Sequence, residues 1–146
     1  MDHFFEGIGN AIHLVAAFVW IGGLAMLVIG LRPVFSRSIP DPSERDRLDG
    51  VIHRRFFLVA SCAAAILGAS GFMMMTTNEK FEGFGHYANT WSRLLVAKHV
   101  LFFAMIGLLL ALRKPREVKA ERDLIDISLM LGVGVLIVTG LLTAAR

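Results

Sequence analysis

Residues 8–31 read IGNAIHLVAAFVWIGGLAMLVIGL, and Asn10 and His13 are their only polar interruptions before Arg32-Pro33. A bilayer core needs ~20 consecutive apolar residues in a helix, so this run is long enough to cross one. Three more runs of the same character follow at 56–76, 91–112 and 124–145. Together the four spans predict an all-α, integral membrane four-helix transmembrane bundle that forms a single domain over 1–146.

Composition supports that reading. The chain has 146 residues, 55% hydrophobic and only 18% charged, with a mean hydropathy of +0.64. A soluble domain carries about 25% charged residues. Four spans with short connections use nearly the whole length, which leaves no room for a separate catalytic module. Before residue 8 stand Asp2 and Glu6 with no Lys or Arg, the wrong sign for a secretory leader, so the first run is expected to be retained. The single cysteine, Cys62, lies in an apolar run; it offers no disulfide framework and no CxxC pair, and reads as a small packed hydrophobe. No internal repeat is evident.

The second run is rich in small residues, from Ala60 to Gly71, and closes with Met73-Met74-Met75; small side chains let helices approach closely. The stretch 36–55 is polar and reads as a loop, with Pro40-Asp41-Pro42-Ser43-Glu44 resembling a turn that starts a short amphipathic helix. The connection 77–90 carries Phe81, Phe84, His86 and Tyr87, a composition suited to a membrane interface.

The net charge of +3 and pI near 9.5 are topological rather than a sign of nucleic-acid binding. Arg32, Arg37, Arg45, Arg47, Arg54 and Arg55 flank the first connection, and Arg113, Lys114, Arg116, Lys119 and Arg122 the third, against Lys80 alone in the middle one. Cytoplasmic loops hold the excess of basic residues, so a multi-pass protein of a bacterial inner membrane with both ends of the chain outside the cytoplasm is expected.

Ionisable groups inside a span are costly, which makes His13, Lys98 and His99 the functional candidates. His13 lies about six residues into its run and His99 eight past Trp91, so both sit roughly 9–12 Å from where their helices begin and share a level. Two imidazoles at one depth suit a cofactor held between helices, with haem iron or copper as the metal; the plain alternative is that each bonds a neighbouring carbonyl or hydroxyl. Lys98 is about 100° round the helix from His99. It either snorkels outward or, with Arg93, pairs with a carboxylate. Trp20, two turns below His13 on nearly the same face, gives the site an aromatic floor, and Gly22-Gly23 a thin wall, unless they serve ordinary packing. Met73, Met74 and Met75 offer thioethers for Cu(I), with His86 as a further donor, or else fill the core. His3 and His53 read as surface or solvated residues.

At these residues a resemblance emerges. Ile12-His13-Leu14-Val15-Ala16-Ala17-Phe18-Val19-Trp20-Ile21-Gly22-Gly23 resembles the first helix of CopD-type copper-resistance membrane proteins and of HemJ-type protoporphyrinogen oxidases. Trp91-Ser92-Arg93-Leu94-Leu95-Val96-Ala97-Lys98 is similar to that superfamily's third helix, and Ser70-Gly71-Phe72 to the end of its second. The resemblance implies a membrane protein whose His13 binds haem b or copper and whose Lys98 is functional. This chain places His99 beside the lysine, which favours a two-histidine site.

The reading that results is a b-type cytochrome-like protein for electron transfer. Haem b is ligated by His13 and His99, its propionates run toward Arg93 and Lys98, and Trp20 lies below. The partners are the lipid bilayer and a quinone or the subunits of a larger redox complex, with homo-oligomers left open. A CopD-like copper protein and a HemJ-like oxidase are the alternatives.

Overall fold

The computed structural model describes residues 2–76, 90–113 and 118–144, and within them every regular element is helical. The first run forms α1 (Asp2–Ala25), a π-helical segment (Met26–Leu31) and α2 (Arg32–Ser38) in one continuous rod. The wider π turn has a local cause. Pro33 has no N–H to give to the preceding turn and its ring crowds the carbonyl four residues back, while the N–H of Arg32 reaches past to Leu27 O.

The polar stretch 36–55 departs from the loop expected of it. Only residues 39–41 break the helix, and α3 runs from Pro42 to Thr76 without interruption. Asp41 is its N-cap: its carboxylate accepts the Ser43 N–H at 2.9 Å and its carbonyl accepts the Arg45 N–H at 3.1 Å. Pro42 takes the first helical position, where a missing donor costs nothing. The turn expected at Pro40–Glu44 does start a helix, but that helix is part of the second apolar rod. α4 (Thr90–Ala111) and α5 (Val118–Ala144) complete the fold.

The four rods alternate in direction. α1 packs against α3, with a Cβ at Gly9 meeting Met73 Cε at 2.8 Å and one at Gly23 meeting Phe56 Cε2 at 2.9 Å. α4 packs against α5, where Gly134 lies beside Leu101 and Gly132 beside Met105. These two tight pairs are joined through α1–α5 and α3–α4 seams, giving the ring order α1, α3, α4, α5 with α1 and α4 on a diagonal. Ala16, Trp20 and Leu24 of α1, Ala60, Ala63 and Leu67 of α3, Met105 and Leu109 of α4 and Ile125 of α5 form the core.

Four helices, 7–38, 42–76, 90–111 and 119–144, are long and apolar enough to cross a membrane. Their outward faces are apolar too: Phe18 is 79%, Met130 74% and Ile29 71% exposed. A contiguous surface of that kind needs a cover other than water.

Candidate functional site

His13 stands at the α1–α3 interface, half-buried, with its imidazole against the backbone of α3. A Cβ placed on Gly71 would lie 3.3 Å from His13 Cε1, so glycine at 71 is what admits the ring. His13 Nδ1 is 2.9 Å from Ser70 Oγ, and Ser70 Oγ is in turn 2.6 Å from Ile66 O. A serine hydroxyl has one proton, and a carbonyl can only accept. The Ser70 proton therefore goes to Ile66 O, and Ser70 Oγ accepts from His13 Nδ1–H. The neutral ring then carries its lone pair on Nε2, which has no partner among the described residues.

His99 is tied down in a comparable way. Its Nδ1–H donates to Leu95 O at 2.7 Å, one turn back on its own helix, which fixes the orientation of the ring. The helix register relates its depth to that of His13. Phe102 of α4 meets Gly68 of α3, and Gly71 meets His13. His99, three residues before Phe102, thus stands about 4.5 Å nearer the His13 end.

Direction separates His99 from Lys98. Trp91, Phe102, Met105 and Leu109 mark the inward stripe of α4; the Phe102 ring meets Trp20 edge-on across the diagonal, centroids 6.1 Å apart. Lys98, four residues before Phe102 and seven before Met105, lies on that stripe, and His99 lies about 100° from it. Arg93 is exposed and about 140° round the helix from Lys98.

The other candidates scatter. Trp20, 3% exposed, is a core residue two turns below His13. Gly23 serves the α1–α3 approach through Phe56 rather than opening a wall beneath the histidine. Met73 packs on Gly9, Met75 is buried, and Met74 is half-buried. Among the described residues no group of three or more His, Cys, Asp or Glu side chains is placed to hold a metal ion. His86 lies outside the described residues. Comparisons with known proteins find no matching family model, curated protein or solved structure.

A second polar cluster, at the opposite end, was not anticipated. Arg32 of α2 pairs with Asp126 of α5 at 2.5 Å and donates to Arg122 O at 3.2 Å. Arg122 reaches Asp49 of α3 at 3.5 Å. His53 corrects its reading as a solvated residue: Nδ1 lies 3.1 Å from both Asp49 O and Glu121 Oε1, and Nε2 is buried with no partner among the described residues. Arg32, Asp49, His53, Glu121 and Arg122 line a cavity of about 80 Å³. One of them was findable, since Asp126 falls inside the fourth apolar run, where any carboxylate is expensive.

Proposed function

We propose that this chain is a membrane-embedded haem b protein that passes single electrons, in which His13 would hold the haem iron through Nε2. The carrying observation is the hydrogen bond from His13 Nδ1–H to Ser70. A ligating histidine characteristically gives its other ring N–H to an acceptor that sets tautomer and orientation, and Ser70 is such an acceptor. His99, its ring oriented by the bond from Nδ1–H to Leu95 O, stands at the same level on the diagonal helix. Two imidazoles at one depth on helices across the diagonal of the bundle support a two-histidine site.

Haem bound there supplies a one-electron iron couple. The chain's own residues hold and surround it. Ser70 and Leu95 orient the two rings, Lys98 on the interior stripe serves as counter-ion to a carboxylate, and the packed Trp20–Phe102 layer closes the site from below. The apolar outer faces sit in the bilayer of a bacterial inner membrane, with both ends of the chain outside the cytoplasm and His13 toward the outer leaflet. A quinol or a larger redox complex is the electron partner.

One observation favours a second reading. Lys98, not His99, shares the stripe of α4 that carries Phe102, whose ring meets Trp20 of α1. A His13–Lys98 pair is the HemJ-like arrangement, which would make the chain an oxidase of porphyrinogens.

Spectra of the detergent-purified protein decide between them. His13→Ala and His99→Ala should each remove most low-spin haem, and the double variant should be little worse than either, because two ligands of one centre are not additive. A normal low-spin spectrum in His99→Ala removes His99 and favours Lys98. A protein without haem in every variant, but losing copper in both, overturns the haem reading for the CopD-like one.

A further inference from the structure

The α3–α4 seam is closed at the His13 end, where Phe102 meets Gly68, and open at the other. There it forms a groove of about 550 Å³, within the range of sites for whole small molecules. Its walls are apolar, with Phe57 and Leu58 from α3 and Leu109 and Leu112 from α4, and its rim carries Arg54 and Arg113. Both arginines are exposed, and neither has a carboxylate partner among the described residues. The buried, unpartnered Nε2 belongs to His53, which lines the same groove while Glu121 engages its Nδ1.

We propose that this groove seats an anionic phospholipid, its phosphate between Arg54 and Arg113 and an acyl chain between Phe57, Leu58, Leu109 and Leu112. The inference rests on the membrane placement but not on haem. The charge pattern selects the occupant. Two exposed guanidiniums match phosphate oxygens in fork geometry, and the apolar walls at the end of two spans match a chain entering from the headgroup level. Basic pockets between transmembrane helices are a recognised setting for anionic headgroups. A zwitterionic lipid brings its own cation to the same rim and gains less.

The test is lipid retention by the full chain in detergent, read by native mass spectrometry after exposure to phosphatidylglycerol or phosphatidylcholine. Wild type should retain phosphatidylglycerol preferentially. Arg54→Gln and Arg113→Gln should each cut that preference about fivefold, the attraction of one cation near an anionic surface. Arg37→Gln with Arg47→Gln, on the same side but away from the groove, should leave it unchanged. Leu112→Trp should lower retention by filling the groove, its circular dichroism melt showing that it folds. Equal retention of both lipids by wild type overturns the proposal, as does an equal loss in the Arg37/Arg47 control. Displacement of bound phosphatidylglycerol by inorganic phosphate alone would reassign the groove to the free anion. Loss of haem without loss of lipid preference would sink only the haem reading.

Discussion

Ser70 does more for His13 than any other side chain, and its effect is separable from packing. Ser70→Ala removes the acceptor of Nδ1–H while leaving a small side chain in place, so the ring keeps its site but loses its fixed tautomer and orientation. If the chain holds haem as proposed, its haem affinity should fall by about 10–100-fold, the usual consequence of losing a partner that orients a ligand. Thermal stability should fall by only about 1 kcal/mol, the net worth of one hydrogen bond. Haem titration and a circular dichroism melt check the two effects, and unchanged affinity would mean that Ser70 merely caps a turn of α3. His13 was legible as a candidate because an imidazole in an apolar run stands out by itself. Its partner was not, because Ser70 is one of several small residues in its run and only folding brings it to α1. His53 was misread for the same reason: Arg54 and Arg55 beside it are visible in sequence, whereas Glu121 arrives from α5.

At the level of elements, the helices were readable where the signal is local and misjudged where two signals met. In sequence the Pro40–Glu44 turn reads as the start of a short amphipathic helix, and the charges up to Arg55 as a loop ahead of the second apolar run. A capped first turn carries helix propagation straight through such residues, so α3 extends beyond the apolar run that marks it. Asp41→Ala should cost about 1 kcal/mol and fray the first turns of α3, raising amide exchange at Ser43 and Arg45 but not at Ala60. Arg32–Asp126 ties the rod that begins with α1 to α5, below the π segment. Asp126→Asn should lower stability by about 1 kcal/mol, because Arg32 loses its partner in a half-buried site. Arg32→Met with Asp126→Leu should recover that loss, since a well-packed apolar pair can replace an ion pair. A double variant less stable than Asp126→Asn would show that the guanidinium also matters through Arg122 O.

For the whole molecule, the number of spans follows from length and hydropathy, but their neighbours do not. Four apolar runs carry no label for partners, and only the small residues of the first two runs hinted at the close α1–α3 pair. Orientation is different, because it depends on a sum over the chain rather than on contacts. Eleven basic residues flank the first and third connections and one the second, so the end bearing Arg32, His53 and Arg122 should face the cytoplasm. An alkaline phosphatase fused after Arg146 should be active, and a fluorescent protein inserted after Arg113 should glow. The outcome fixes the geometry of both candidate sites together, since His13 lies at one end of the ring and the arginine groove at the other. The reverse pattern would bring the His13 level to the inner leaflet and the groove to the outer one. It would also remove the electrostatic reason for the basic residues, whereas Arg32 and Arg122 would keep their ion pairs with Asp126 and Asp49.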